Sequence, residues 1–262
     1  MALREVENSL FLGVAKRLSE KPEAVFMIAL QADGTVEAAA LWTPPFPLSI
    51  CAADEERAEQ LADAVLDAAG PPVPGVIGLW GHATRFAERW AARPGQAFRP
   101  ELEMTFYTLD RVVPPPVPAP GILRPAAARD RDWLIDWHVA FAEEAALPVA
   151  ERSRNHVAEL VRRKLAESLL YVWEDRGRPV SVLGYTPTGI SGVRIGPVMT
   201  APAERGRGYA GTAVATLTQR LLNVGARWCG VFADIANPQS NRLYQRLGFR
   251  EVCRFRSLAF LR

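Results

Sequence analysis

Hydrophobic and polar positions along the chain form two blocks, and each block predicts a similar order of helices and strands. Period-2 and period-3.6 patterns mark the elements, with Gly, Pro and Asp at the breaks. For the first block, the pattern predicts helix 6–19, strand 24–30, strand 36–42 after a turn at Asp33-Gly34, strand 48–52, helix 54–69, strand 76–80, helix 83–92 and strand 101–109.

The second block begins with two predicted helices and then repeats the order of the first. Its predicted elements are helices 127–145 and 150–166, strands 169–173, 179–185 and 190–200, helix 208–224, strand 228–233, helix 238–247 and strand 251–261. From the second strand onward the two orders agree. We therefore predict a duplicated α/β (α+β) unit, built as two tandem mixed-sheet domains.

A proline-rich segment separates the two blocks. Five prolines fall within residues 114–120, where they favour an extended, semi-rigid spacer with few backbone donors. The predicted division is an N-terminal domain at 1–113, a linker at 114–120 and a C-terminal domain at 121–262. A chain of 262 residues agrees with two domains.

Composition narrows the functional class. The net charge of +2 gives no sign of a nucleic-acid or membrane surface, and no apolar run is long enough to span a bilayer. The N-terminus lacks a signal-peptide pattern, so we expect a cytoplasmic protein. Three cysteines without metal-ligand spacing are expected to be buried free thiols, and we expect no metal.

The segment with the clearest chemistry is Arg205-Gly206-Arg207-Gly208-Tyr209-Ala210-Gly211. It lies between an apolar run and an amphipathic helix, so its amides can converge at a helix N-terminus, where the macrodipole favours negative charge. Glycine has no Cβ and lets the backbone approach an anion closely. The inferred ligand is a pyrophosphate.

A dinucleotide is one candidate, because Gly206, Gly208 and Gly211 satisfy G-x-G-x-x-G and the next apolar run ends in Asp234. Three features oppose it. Too little chain follows for a doubly wound sheet, residues 201–204 separate the strand from the glycines, and the two arginines are not needed in a dinucleotide turn. A glycine turn without a ligand also remains possible from this segment alone.

A second motif follows at residues 237–249. Asn237 is a good N-cap and Pro238 suits the first helical position, while Gly248 and Phe249 end the helix. With Pro202-x-x-Arg205-Gly206-x-Gly208-x-Ala210, then Asn237, Leu243-Tyr244 and Gly248-Phe249, the chain resembles the GNAT superfamily of N-acetyltransferases. The match spans about the last 65 residues, in the right order and spacing.

The resemblance implies that the pyrophosphate belongs to an acyl-coenzyme A, with acetyl-CoA as the co-substrate. The amides of Arg205 to Gly211 would hold it, and the backbone of Val198, Met199 and Thr200 would pair with the pantetheine arm. The Val198 amide would polarise the thioester carbonyl. Asn237 and Ser240 would contact the coenzyme, and Tyr244 would protonate the leaving thiolate. A tyrosine, with an ordinary pKa of about 10, holds its proton at neutral pH.

The base that takes the proton from the amine is less clearly marked. Glu144 continues the apolar stripe of helix 127–145, so it either faces the cleft as a base or lies in solvent at a helix end. Glu143 and Asp234 are alternatives, and proton transfer through water needs no dedicated base.

The first block lacks both motifs. Residues 53–56 carry three carboxylates into the helix, which suits the helix dipole but would repel a pyrophosphate. We expect this half to bind no coenzyme and to form one wall of the acceptor cleft. Such a degenerate partner resembles tandem members of the superfamily, including glycine N-acyltransferase-like enzymes.

The resulting prediction is an enzyme that transfers an acetyl group from acetyl-CoA to a primary amine of a small molecule or peptide by direct attack. A longer acyl donor is one alternative, and a non-catalytic sensor that binds an acyl-CoA is another. The acceptor and the oligomeric state cannot be read from the sequence.

Overall fold

Eleven strands form one mixed sheet with helices on both faces in the computed structural model, which describes residues 5–20, 26–68, 72–145, 147–188 and 190–261. The strands are β1 Phe26–Ala32, β2 Thr35–Trp42, β3 Leu48–Ala52, β4 Gly75–Leu79, β5 Ala97–Leu109, β6 Ile122–Pro125, β7 Leu170–Asp175, β8 Arg178–Pro187, β9 Gly192–Thr200, β10 Trp228–Asp234 and β11 Arg250–Leu261. The helices are α1 Ser9–Glu20, α2 Glu55–Asp67, α3 Trp80–Ala91, α4 Arg131–Glu144, α5 Val149–Arg152, α6 Arg154–Ala166, α7 Tyr209–Asn223 and α8 Pro238–Arg246. None of these helices is long and apolar enough to cross a membrane.

The strand order shows the predicted duplication directly. It runs β1-β2-β3-β4-β11-β5-β10-β9-β8-β7-β6, so β11 and β5 lie at the centre and matching strands follow on either side. The pairs β3–β4 and β9–β10 are both parallel, and the pairs β4–β11 and β10–β5 are both antiparallel. The fold is therefore a mixed α/β fold with two similar halves and one extra edge strand, β6.

The two halves exchange their last strands. β5, the final strand of the first block, pairs with β10 of the second block, and β11, the final strand of the chain, pairs with β4 of the first. β5 and β11 also pair with each other along most of their length. The sheet is therefore continuous across the junction, and the division at 114–120 stays a prediction about chain segments rather than about separate bodies.

The helices of each half lie on both faces of the sheet. On β8, Leu183 packs into the core with α7 and α8, whereas its neighbour Val182 packs with α4 and α6. On β2, Ala40 packs with α2 and α3, and Ala39 packs with α1. Because neighbouring strand residues point to opposite faces, each half has two separate cores.

Contacts across the central strands β5 and β11 show which face of the first half continues into which face of the second half. Tyr107 of β5 packs with α7 and α8, and its neighbour Phe106 contacts Phe255 of β11 on the opposite face. Arg256, next to Phe255, stacks on Trp80 of α3 with 4.1 Å from its guanidinium carbon to the ring centroid. The first face is therefore the one with α2, α3, α7 and α8, and the second face is the one with α1, α4 and α6.

Two elements differ from the sequence prediction. The predicted helix 150–166 is two helices, because Ser153 is extended and its hydroxyl accepts a hydrogen bond from the His156 amide at 3.2 Å, which starts α6. Strand β6 pairs with β7 directly after the proline segment. Strand β6 is too short for an alternation of apolar and polar positions to be recognised in the sequence. Positions 24, 25 and 69 of the predicted elements lie outside the described residues.

Candidate functional site

The two central strands of the second half separate toward their C-terminal ends. β9 pairs with β10 only over residues 192–195, and beyond Ile195 the described part of β9 pairs with β8 while β10 pairs with β5. A register shift in β8 between Leu183 and Tyr185 lies beside this point, and Pro197 has no amide hydrogen to offer a neighbouring strand. An open wedge therefore lies between residues 196–200 and 232–234.

The amides that face this wedge follow from the pairing of β9. The Ala201 amide donates to the Val180 carbonyl of β8 at 3.0 Å. Successive amides along a strand point to alternate sides, so the amides of Thr200 and Val198 point into the wedge. The side chain of Met199 packs in the core with α4 and α6. The structure thus places Val198 and Thr200 where a strand-like ligand could pair with them.

The glycine loop leads straight into α7. Gly206 and Gly208 have φ values of +79° and +81°, which L side chains rarely adopt, and no described side chain caps the helix at Gly208. The first amides of α7, those of Tyr209, Ala210 and Gly211, therefore have no partner within the helix. Free amides and the helix dipole together make an anion site.

The two loop arginines are paired with carboxylates in this structure. Arg205 binds Glu144 through two hydrogen bonds of 2.8 and 2.6 Å, and Arg207 binds Glu204 at 2.8 Å. The hydrogen bonds from Arg205 lower the pKa of Glu144. A lowered pKa opposes the role of base predicted for Glu144, although the ion pair fixes the end of α4 against the glycine loop.

The side chains in the first turn of α7 take part in packing and do not contribute to the wedge. Tyr209 is buried, and its hydroxyl donates to Asp175 at 2.6 Å. A Cβ at Gly211 would lie 3.1 Å from a methyl carbon of Leu243, so this glycine lets α7 approach α8. Among the predicted coenzyme contacts, Tyr209, Ala210 and Gly211 therefore offer their backbone.

At the start of α8, the side chains of Asn237 and Ser240 are not free, because they form hydrogen bonds that cap the helix. Asn237 Oδ1 accepts from the Ser240 amide at 3.1 Å, and Ser240 Oγ donates to the Asn237 carbonyl at 3.1 Å. Asn241, which the sequence reasoning missed, donates to the Asp234 carbonyl at 2.8 Å and accepts from the Tyr107 hydroxyl at 2.8 Å. No local signal marks this bond, because its partners are 134 residues apart.

Tyr244 lies on the face of α8 that packs against the sheet. It is 5% exposed, and its ring lies 6.5 Å from that of Tyr107 and 5.7 Å from that of Phe249. Burial raises the pKa of Tyr244, so the phenol keeps its proton through the neutral range. No residue in the described ranges hydrogen-bonds its hydroxyl, which leaves that proton available to a ligand.

The proline-rich segment runs over the first face beside these helices. The Val113 amide donates to the Leu247 carbonyl at 2.9 Å, the Ala119 amide donates to Thr212 Oγ1 at 2.8 Å, and Trp173 Nε1 donates to the Pro120 carbonyl at 2.8 Å. The segment is therefore fixed to the end of α8 and the first turn of α7.

We expect Thr212→Val to weaken coenzyme binding about 3- to 10-fold, because it removes both the bond that holds Ala119 beside the first turn of α7 and the bond from Thr212 Oγ1 to the Gly208 carbonyl at the start of that helix. A typical hydrogen bond contributes about 1 kcal/mol. Thr216→Val is the matched control, since Thr216 Oγ1 donates only to the Thr212 carbonyl of the same helix. Calorimetry with coenzyme A compares the two variants, and equal losses would contradict the expectation.

In the first half, carboxylates of the chain itself occupy the position that corresponds to the glycine start of α7. Asp54 caps α2 and accepts from the Arg57 amide at 2.8 Å, and Glu55 and Glu56 fill the first turn. Ion pairs between α2 and α3, at 3.0 and 2.7 Å, close these helices against each other. These features support the expectation that this half binds no coenzyme, which stays a prediction.

A cleft of about 260 Å³ opens beside the central strand β5, near the wedge. It is lined by Pro100, Glu101, Leu102, Glu103, Ala145 and Asp234. Glu151 of α5 faces Glu101, and burial together with the charge of Glu101 raises the pKa of Glu151. Of these carboxylates, Glu103 is paired with Arg256 at 2.7 Å. Strand β5 of the first block thus supplies one wall of an acidic cleft.

Comparison with known proteins agrees with the arrangement of motifs and strands. A model of the acetyltransferase (GNAT) family matches residues 131–249. No curated protein matches the sequence.

Several solved structures share the fold over nearly the whole chain. A GCN5-related N-acetyltransferase from Kribbella flavida is 14% identical, with a TM-score of 0.64, and the match covers 96% of this chain and 94% of that one. One from Sphaerobacter thermophilus is 18% identical, with a TM-score of 0.63 and coverage of 98% and 90%. A tandem GNAT protein from the clavulanic acid biosynthesis pathway is 12% identical, with a TM-score of 0.56 and coverage of 95% and 87%.

Proposed function

We propose that this chain transfers an acetyl group from acetyl-CoA to a primary amine of a small molecule or peptide, because residues 131–249 match a model of the acetyltransferase (GNAT) family. The observation that carries the proposal is the wedge between β9 and β10 beside the glycine start of α7. The free amides of α7 suit a pyrophosphate, and the open edge of residues 196–200 suits a pantetheine arm.

The proposed reaction needs a donor for the developing oxyanion, a general acid and an acceptor for the amine proton. The Val198 amide donates to the thioester carbonyl oxygen as negative charge develops there, and such a fixed donor contributes about 3 kcal/mol in related sites. The amine nitrogen attacks the carbonyl carbon and the carbon–sulfur bond breaks. Tyr244 gives its proton to the leaving thiolate, and the amine loses its proton to a carboxylate or to water.

The acidic cleft supports an amine as the acceptor. Ile195 pairs in register with Val231, so Val198 and Asp234 each lie three residues further along parallel strands, on opposite sides of the wedge. A primary amine is mostly an ammonium at neutral pH, and carboxylates bind this form. Asp234 therefore holds the amine across from the thioester and is better placed than Glu144 to receive its proton.

The test is release of coenzyme A thiol from acetyl-CoA across a panel of amines, with mass detection of the product and calorimetry for coenzyme binding. Coenzyme binding together with acetylated amine supports the proposal. Binding without thiol release points to the sensor, and turnover only with longer thioesters points to a longer acyl donor. Absence of binding to any acyl-CoA overturns the proposal.

We expect Asp234→Asn to lower kcat/KM for the amine about 10- to 100-fold and to leave the Kd for acetyl-CoA unchanged. The reason is that the variant loses a charge-assisted hydrogen bond to the ammonium, a contact that contributes about 1.5–3 kcal/mol. Asp132→Asn is the control, because Asp132 lies on the outside of α4 with its side chain 83% exposed. An unchanged kcat/KM would place the amine elsewhere.

A further inference from the structure

Arg194 is a cation on the second face of the sheet, next to the start of the wedge. It lies on β9, and its guanidinium carbon is 5.8 Å from the ring centroid of Phe232 on β10. Helix α1 covers it from the other side, since a Cβ at Gly13 would lie 3.1 Å from a terminal nitrogen of Arg194. Glu5, just before α1, accepts from the Ser191 amide at 2.7 Å and so ties α1 to the start of β9.

This guanidinium has no counter-ion in the described part of the chain. Its Nε is buried without a hydrogen-bond partner, and no carboxylate within the described ranges pairs with it. Burial lowers the pKa of Arg194 to about 10, which leaves it charged at neutral pH. Arg194 as a whole is partly exposed, and the ring of Phe232 compensates part of the cost of removing its guanidinium from water.

A second buried cation, Lys164, lies near Arg194, and the charge of Glu167 acts on the pKa of Lys164 in the opposite sense to that of Arg194. Lys164 of α6 is 5% exposed, and its Nζ donates to the Tyr185 carbonyl at 2.9 Å and to Thr186 Oγ1 at 3.1 Å. Burial and the charges of Arg163 and Arg194 lower the pKa of Lys164 to about 8. His138 of α4 is buried, and burial lowers its pKa to about 4, so it is neutral at pH 7. Arg194 and Lys164 thus place two cations near the start of the wedge, whereas the carboxylates of the acidic cleft lie further along, at the end of β10.

The position of Arg194 relates it to the acidic cleft. Phe232 precedes Asp234 by two residues on the same face of β10, a separation of about 7 Å along a strand. The guanidinium beside Phe232 thus lies deeper in the molecule than the Asp234 carboxylate. A ligand whose ammonium meets Asp234 can place a second group beside Arg194.

We propose that the acceptor amine also carries an anionic group of the carboxylate class, and that Arg194 binds this group while the amine lies at Asp234. The inference rests on the proposed acetyl transfer and names the acceptor class for it. An anion beside Arg194 supplies the missing counter-ion, and Arg pairs with carboxylates through two parallel hydrogen bonds.

The experiment compares amines that differ only in a carboxylate: L-phenylalanine against phenethylamine, L-alanine against ethylamine, and L-lysine against cadaverine. For the wild type, we expect kcat/KM to be at least about 10-fold higher with the carboxylated member of a pair. Arg194→Met should remove this preference and change kcat/KM for the carboxylate-free amine less than about 3-fold. Arg162→Met, on the exposed side of α6, is the matched control and should keep the preference.

A binding measurement separates failure of this inference from failure of the proposed function. In protein saturated with coenzyme A, N-acetyl-L-phenylalanine should raise Tm more than N-acetylphenethylamine does, and Arg194→Met should abolish the difference. The proposal is supported if either measurement shows a preference for the carboxylated compound and Arg194→Met removes that preference. The proposal is overturned if neither measurement shows a preference for the carboxylated compound. It is also overturned if Arg194→Met lowers kcat/KM equally for all acceptors, even where acetyl-CoA binds normally.

Discussion

Replacement of Tyr244 by Phe is expected to lower kcat for acetyl transfer roughly 100-fold or more and to leave the Kd for acetyl-CoA within about twofold. The magnitude is that of losing a positioned general acid. The phenol proton is available because burial raises the pKa of Tyr244 and no described residue hydrogen-bonds its hydroxyl. The ring itself, packed against Phe249, is retained in phenylalanine.

The measurement is steady-state thiol release over pH 6–9, with the Kd from calorimetry. Tyr209→Phe is the matched control, because Tyr209 is equally buried in the same core but its hydroxyl donates to Asp175. This variant should keep kcat near the wild-type value, because the Tyr209 hydroxyl has no role in the proposed proton transfer. If Tyr244→Phe kept full kcat, the proton of the thiolate would have to come from water or another group.

The position of Tyr244 depends on both halves of the chain. The Tyr107 hydroxyl of β5 bonds to Asn241, one turn before Tyr244 on α8. The exchange of β5 and β11 brings this contact about, since β5 would otherwise end the first half. The first block therefore contributes to the second half in two ways: it fixes α8, and it forms one wall of the acidic cleft.

Local signals explain why much of the second half could be predicted from the sequence. The glycines at 206 and 208, the cap at Asn237 and the apolar face of α7 each depend on neighbours within a few residues. The structure gives Gly206 and Gly208 positive φ values and starts α8 at the predicted cap. The strand order then shows the duplicated unit that the order of elements predicted.

The contacts that the sequence did not predict join distant segments. The Arg205–Glu144 pair spans 61 residues, and the contact from Ala119 to Thr212 spans 93. The strand exchange is likewise a choice of pairing partner, which the alternation within a strand does not encode. Asn241 and Arg194 lie outside any motif, and only their surroundings in the fold mark them.

Replacement of both Gly206 and Gly208 by Ala is expected to weaken acetyl-CoA binding about 100-fold, equivalent to about 2.7 kcal/mol. At φ values of +79° and +81°, alanine costs about 1–2 kcal/mol at each position. The loop relieves this strain by turning its peptides, which moves the amides that face the pyrophosphate. Added methyl groups also hinder close approach of the anion.

A second double variant isolates binding from strain. Gly34 and Gly95 have φ values of +75° and +77°, and a Cβ at either meets no atom within 4 Å, as at Gly206. Gly34→Ala with Gly95→Ala should therefore lower the free energy of unfolding by a similar amount while the Kd for acetyl-CoA stays the same. Thermal unfolding and calorimetry on both double variants make the comparison. Equal losses of affinity would show that global strain, rather than the amides at the start of α7, controls coenzyme binding.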